Sequence, residues 1–319
     1  MVGAVGVLVL AAAPVAQAHL RSGTVAVDYG ARVVRPRPAP TAPFAVTVYQ
    51  SDRALQLRVR SGHTVVVIGY LGERFLRVDA AGAVAVNGAS PTTAGSGLLA
   101  KGEQTGWTPV RGHRSVVWHD PRLQRLPPGA IRASWSIPVL VDGRRERIAG
   151  QIWRLAAPAL WPWLLVLVPF AALTVLLGVA GDRRRLRTGC IVAGAVAAAA
   201  GIGAAGGVAL GAYASPGTWI AGADEVVFAV AGFGVLAWGP RGADVPAGIG
   251  LALLGLAIGS SEAGVFLHGG VLSALPAMPT RTAAVVAIGA GIAGLGTGGL
   301  FYLRHPAEPA AEGGAWLTF

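Results

Sequence analysis

The chain contains one cysteine and two methionines, and Asp, Glu, Lys and Arg make up only 13% of its 319 residues. The single cysteine, Cys190, excludes a disulfide within the chain and a zinc site built from cysteine pairs. The phosphate-binding loop, the GxSxG elbow and the HExxH motif are also missing from the sequence. Nothing therefore indicates a familiar class of enzyme, and we expect a non-enzymatic protein.

What the chain has in excess is apolar sequence, since 53% of its residues are hydrophobic. The apolar excess follows residue 156, whereas the charge precedes it. Residues 19–156 hold 19 Lys and Arg against 8 Asp and Glu, a net charge of +11, and the rest of the chain holds 7 of each. A basic domain attracts an anionic partner. If this domain is outside the cell, we expect anionic lipid headgroups or acidic wall polymers rather than nucleic acid.

Residues 1–18 form a short apolar run that ends in Ala16-Gln17-Ala18, a small-residue pattern typical of a signal-peptidase site. The run has no basic n-region, so retention as a membrane anchor is the alternative to cleavage. Cleavage after Ala18 is the favoured prediction, and it would make His19 the mature N-terminus.

Residues 19–156 show short runs of alternating polar and apolar residues, separated by turn residues. This spacing predicts an exported, immunoglobulin-like antiparallel β-sandwich. Residues 88–113, rich in Gly, Ser and Thr, are predicted to form a long loop. The predicted strands are 44–49, 55–60, 64–70, 74–78, 83–86, 114–118, 131–137 and 148–155.

Residues 157–304 predict a bundle of five transmembrane helices. The first crossing lies in 158–187, which opens with two tryptophans and closes on four arginines. Further crossings are predicted at about 188–213, 219–239, 246–268 and 282–303. The arginines flanking these segments place the N-terminal domain outside the plasma membrane and the short tail, 305–319, in the cytoplasm.

Glycines at four-residue spacing predict close helix contacts, because helices in lipid approach one another through small residues. The predicted contact glycines are Gly203, Gly207 and Gly211 on the second helix, Gly255 and Gly259 on the fourth, and Gly294 and Gly298 on the fifth.

Three acidic residues fall within the predicted crossings: Asp224, Glu225 and Glu262. Ser261 and His268 lie close to Glu262 in the sequence, so the five residues form a candidate intramembrane polar cluster. Acids inside a bilayer are costly and mark ion or proton paths. The alternatives are acids at the water interface and a structural cluster of protonated carboxyls.

A second candidate site is a metal site on the exported domain, with His19, His113, His119 and Asp120 as ligands. An N-terminal histidine offers an amine and an imidazole together, and copper(II) favours such nitrogen ligands. The cofactor is unknown, with copper as the candidate. The alternative is that these are ordinary surface or core histidines, since none of them has zinc-site spacing.

Two stretches of the β domain carry a resemblance to a known family. They are Gly69-Tyr70 with Gly72-Glu73, and Trp118-His119-Asp120-Pro121-Arg122. The sequence resembles a family of uncharacterised envelope membrane proteins of high-GC Gram-positive bacteria, which have an exported β domain followed by several transmembrane helices. The resemblance implies a link to copper handling. Pro121 and Gln124 stand where the family tends to place histidines, so only His119 and Asp120 carry over.

The sequence therefore predicts an exported β domain anchored by a five-helix bundle, acting as a non-enzymatic binding or accessory protein of the envelope, with a possible role in metal homeostasis. The alternative is a small transporter or proton-coupled membrane subunit that uses the intramembrane carboxylates.

Overall fold

The computed structural model describes residues 26–36, 39, 41–49, 54–99, 106–124, 126–210 and 216–306, without the side chains of 49, 124 and 216–221. The chain divides into two compact units. The β unit comprises Ala26–Ala157 and His268–Leu272, and the helical unit comprises Pro158–Leu267 and the chain from Ser273 onward. The predicted signal peptide, His19 and all but the first two residues of the tail lie outside the described residues.

The described part of the β unit contains twelve strands, and their pairings are antiparallel. A seven-stranded sheet has the order β2-β11-β10-β5-β6-β7-β8, a three-stranded sheet has the order β3-β4-β9, and β1 pairs with β12. The strands are β1 (Ala26–Val27), β2 (Tyr29–Arg35), β3 (Phe44–Tyr49), β4 (Ala54–Val59), β5 (Val65–Ile68), β6 (Arg74–Val78), β7 (Ala83–Asn87), β8 (Trp107–His113), β9 (Ser115–His119), β10 (Arg132–Val141), β11 (Arg144–Arg154) and β12 (Gly270–Val271).

The two larger sheets share one hydrophobic core. Alternation along β4 buries Leu55 and Leu57, and alternation along β5 buries Val65 and Val67. The predicted antiparallel β domain is therefore confirmed. Its immunoglobulin-like form is not confirmed, because the strands divide seven and three rather than in the near-equal sheets of that fold.

Four strands are missing from the sequence prediction, and two of them, β1 and β2, precede the first predicted strand. Strand β8 lies within 88–113, the stretch predicted to be a loop, and β12 lies in the connection between two helices. β12 completes the β unit because it pairs with β1, matching Ala26 with Val271. The β unit therefore takes in residues that the sequence assigned to the membrane domain.

The helical unit contains five helices in its described residues: α1 (Trp161–Ala180), α2 (Arg183–Ala209), α3 (Pro216–Trp238), α4 (Asp244–Ser261) and α5 (Ala277–Arg304). Helices α1, α2 and α5, and α4 with its flanking 3-10 turns, are long and apolar enough to cross a membrane. Helix α1 buries none of its side chains, and apolar residues such as Leu164 and Val179 are exposed along it. An apolar helix of this kind is compatible with contact to a lipid bilayer, and the four spans indicate a multi-pass membrane protein.

Helices α2, α4 and α5 pack against one another through glycine. A Cβ atom at Gly255 would overlap Ala197 of α2, and one at Gly294 would lie 2.7 Å from the Cβ atom of Ala252. The predicted contacts at Gly259 and Gly298 are confirmed as well. The prediction is wrong for Gly203, which has nothing within 4 Å of its Cβ position, whereas Gly211 lies outside the described residues.

Candidate functional site

The Gly69–Glu73 stretch forms the tight turn between β5 and β6. The backbone N–H of Gly69 donates to the carbonyl oxygen of Glu73 at 2.7 Å, and Gly72 has a φ of +84°. A Cβ atom at Gly69 would overlap the Glu73 carboxylate and the Thr92 hydroxyl. Both glycines are therefore needed for the turn, one because of its backbone angle and the other because a carboxylate occupies the space of a side chain.

The Glu73 carboxylate joins this turn to the connection that follows β7. Its Oε1 accepts hydrogen bonds from Ser90 Oγ at 2.6 Å and Thr92 Oγ1 at 2.7 Å, and its Oε2 accepts from the Leu71 backbone N–H at 2.9 Å. Burial by itself raises the pKa of Glu73, but these hydrogen bonds outweigh burial and lower the pKa to about 2. Glu73 is therefore held as a carboxylate for a structural purpose.

The depressed pKa of Glu73 predicts an acid-sensitive β unit. Because the pKa is lower in the folded state, the stabilisation is fully present above the ordinary value of 4.5 and is lost as the pH falls towards about 2. We expect Glu73→Gln to lower the stability at neutral pH and to flatten its dependence on pH below about 5. Unfolding in urea, monitored by proteolysis of the β unit as a function of pH, measures the stability and its pH dependence. Glu146→Gln, which removes an exposed carboxylate from β11, should keep the wild-type profile, and a wild-type profile in Glu73→Gln would contradict the assignment.

Asp120 lies at the end of β9 and is completely buried. Its two oxygens accept from Trp118 Nε1 at 3.0 Å, from Arg122 Nε at 2.9 Å, from Arg122 Nη2 at 2.8 Å and from the Arg122 backbone N–H at 3.1 Å. Arg122 also donates to the carbonyl oxygen of Ile68 at 3.0 Å and lies 4.9 Å from the centre of the Tyr70 ring. The two motifs of the sequence resemblance therefore meet in one structural junction.

Asp120 as a metal ligand stays a prediction, and in the structure four donors occupy its carboxylate. His119 is exposed and lies beside Gly97, and His113 lies beside Gly82. Among the residues that the structure describes, no three His, Cys, Asp or Glu side chains are grouped in a way that could hold a metal ion. His19, the remaining predicted ligand, lies outside them.

The intramembrane polar cluster is brought together only in part. Glu225 and Glu262 are 8% and 6% exposed, their charges lie within electrostatic range of each other, and Oε2 of each has no hydrogen-bond partner among the described residues. Glu262 begins a 3-10 helix (Glu262–Phe266) directly after α4, so the fourth helix ends one residue before it. Asp224, the residue before Glu225 on α3, is exposed.

The other two predicted members of the cluster have different partners. Ser261 Oγ donates to the Ile258 carbonyl oxygen of its own helix at 2.7 Å. His268 belongs to the β unit, where its Nδ1 lies 2.8 Å from Asp28 Oδ1. Arg281, a buried cation on α5, donates from Nε to the carbonyl oxygen of Val265 at 2.8 Å.

The sequence did not predict a cavity of about 310 Å³ on the β unit, formed by β2, β10 and β11. Its polar lining consists of Arg35, Ser134, Trp135, Ser136, Arg147 and Gln151. The one signal in the sequence was Gly150, a glycine inside a strand, which often marks a bulge or a close approach. Gly150 lines the cavity, and its Cβ position is occupied by the ring of Trp135.

Comparison with protein-family models, with curated proteins and with solved structures finds no match to this chain.

Proposed function

We propose that the β unit is the extracytoplasmic part of a multi-pass plasma-membrane protein and acts as a non-enzymatic binding or accessory protein for anionic components of the cell envelope. The observation that carries the proposal is the separation of charge. Residues 19–156 have a net charge of +11, whereas the remainder has equal numbers of acidic and basic residues. A strongly basic domain on an electrically balanced membrane anchor favours anionic partners over neutral ones.

The orientation is supported by the path of the chain. The chain leaves the β unit at Ala157 and re-enters it at His268, and four helices lie between these points. Both points belong to one unit outside the bilayer, so the chain between them must cross an even number of times. Three of the four intervening helices, α1, α2 and α4, are long and apolar enough to cross. We therefore infer that α3 is the fourth crossing. The arginines at 183–187, Arg241 and Arg304 then fall on the opposite side. The positive-inside rule makes that side the cytoplasm, so the β unit faces outwards.

Metal homeostasis, with copper as the candidate, is the weaker form of this proposal. Asp120 is saturated by hydrogen bonds, so a metal role now rests on histidines alone, above all on His19 as a mature N-terminus. The proposal for anionic ligands does not depend on it.

The proposal is tested with the full chain in nanodiscs of zwitterionic lipid. We expect retention on immobilised poly(glycerol phosphate) and no retention on neutral dextran of the same length, with retention falling as salt rises because exposed charges are screened. Empty nanodiscs are the control. Equal retention on the two polymers, or retention on neither, would contradict a role in binding anions.

A proton-coupled or ion-coupled membrane subunit is the second candidate, and the Glu225–Glu262 pair favours it. Two carboxyl groups that are buried together, each with an unpartnered oxygen, are costly in a bilayer, and such groups mark ion or proton paths. Proteoliposomes containing a pH-sensitive dye and an imposed potential should acidify faster than empty liposomes. Glu262→Gln should abolish the difference and Asp224→Asn should keep it. Acidification equal to that of empty liposomes would reject this candidate.

A further inference from the structure

The cavity formed by β2, β10 and β11 presents hydrogen-bond donors, and no carboxylate lines it. Arg35 and Arg147 contribute guanidinium groups, and Ser134 and Ser136 contribute hydroxyls. Gln151 accepts a hydrogen bond from Arg32 through Oε1 at 2.8 Å, so the donor end of its amide is the end left for a ligand. Such a lining is suited to an anion with several oxygen atoms.

Trp135 lies on the other face of the same strand. Alternate residues of a strand point to opposite faces, so Ser134 and Ser136 are exposed on the cavity side of the sheet, whereas the Trp135 ring packs in the hydrophobic core. The donors available to a ligand are therefore the guanidinium, hydroxyl and amide groups of the exposed face.

The backbone is irregular at the same place. Ala149 of β11 is opposite Arg35 of β2, but the next residue, Gly150, is opposite Val33, so Val34 has no partner in the ladder. A bulge of this kind redirects the neighbouring side chains and is frequent beside binding sites. Val34, Arg35 and Gly150 all line the cavity.

We propose that this cavity binds the oxyanion of a phosphate group, either free or as an ester of a small alcohol. The two guanidinium groups bind phosphate oxygens in the paired, charge-assisted geometry that arginine favours, and the serine hydroxyls donate to the remaining oxygens. A volume of about 310 Å³ accommodates a phosphate with a glycerol-sized substituent. The inference rests on the proposed function, because it gives the anion-binding domain a defined site.

The test is calorimetric titration of the full chain in nanodiscs of zwitterionic lipid with three probes: inorganic phosphate, glycerol 3-phosphate and a short-chain phosphatidylglycerol below its micellar concentration. Binding of inorganic phosphate alone identifies free phosphate as the source. Binding of glycerol 3-phosphate alone identifies a phosphate ester such as that of a wall polymer, and binding of phosphatidylglycerol alone identifies a lipid headgroup. Arg35→Gln and Arg147→Gln should each weaken binding at least about tenfold, because each removes a charge-assisted hydrogen bond.

Arg145→Gln is the matched control, since it removes the same charge from the same strand at an exposed position outside the cavity. It should leave the affinity within about twofold, because Arg145 does not line the cavity and acts on the ligand only through a screened, longer-range charge. Equal weakening by Arg145→Gln and Arg147→Gln, affinities unchanged in both cavity arginine variants, or no binding of any probe would overturn the site. If the titration overturns the site but the protein is still retained on poly(glycerol phosphate), only the site fails and the proposed function stands. If wild-type protein is not retained on the polymer, the proposed function fails whatever the titration shows.

Discussion

Asp120→Asn is expected to destabilise the β unit by about 3–5 kcal/mol, the cost of breaking a buried ion pair by changing one partner. The asparagine amide would present a donor to the Arg122 guanidinium, which is only 14% exposed and already directs Nη1 to the Ile68 carbonyl. The Trp118 indole N–H, which also donates to Asp120, would lose a charged acceptor. Because the lost contacts join β9 to the β5–β6 turn, both sheets should be affected.

Urea unfolding of the full chain, read by proteolysis of the β unit, measures this loss. Asp142→Asn is the control, since Asp142 also pairs with a basic side chain, His63 at 2.7 Å, but both partners are exposed. Asparagine tolerates the positive φ of 49° at that position. We expect little change in the control. A loss in Asp120→Asn no larger than the loss in Asp142→Asn would contradict the junction.

Gly255→Ala should produce the second large effect, about 3 kcal/mol in the helical unit. The new methyl group would overlap the Cβ, carbonyl carbon and carbonyl oxygen of Ala197 on α2. Two of these three atoms belong to the backbone, so the helices must separate rather than a side chain turn, which is the costly form of overpacking.

Gly250→Ala is the matched control for Gly255→Ala, because Gly250 also lies in α4 but has nothing within 4 Å of its Cβ position. Alanine is a better helix former than glycine, so this substitution should be neutral or slightly stabilising. Unfolding of the purified protein by SDS, followed by helical circular dichroism, compares the two variants. Equal unfolding midpoints would show that α2 and α4 do not pack closely at Gly255.

Much of the fold follows from local pattern. The period-2 runs identify β3 and β6 to the residue, because one face of each strand must be buried and the other need not be. Strand β8 was missed because Pro109 and Gly112 interrupt its pattern and read as a loop. Strand β12 was missed because two residues carry no period, and only their pairing with β1 defines them.

The candidate sites were less predictable, because their partners come from distant parts of the chain. The hydroxyls that bind Glu73 are 17 and 19 residues away, and the carbonyl that binds Arg122 is 54 residues away. No spacing rule reports such contacts, so the sequence did not show that Asp120 is a buried carboxylate with four hydrogen-bond donors around it. Helix faces were uncertain for a similar reason, since a run rich in glycine and alanine fits several packing directions and Gly203 proved to lie on the wrong one.

Cysteine accessibility measures on which side of the membrane the β unit lies, and we expect it on the outer, extracytoplasmic side. In a Cys190→Ala background, Arg144→Cys places a thiol at the exposed start of β11, and Gly242→Cys places one between α3 and α4. In spheroplasts treated with a membrane-impermeant maleimide, Arg144→Cys should be labelled at once and Gly242→Cys only after lysis. Labelling of Gly242→Cys in intact spheroplasts, or protection of Arg144→Cys until lysis, would contradict the account.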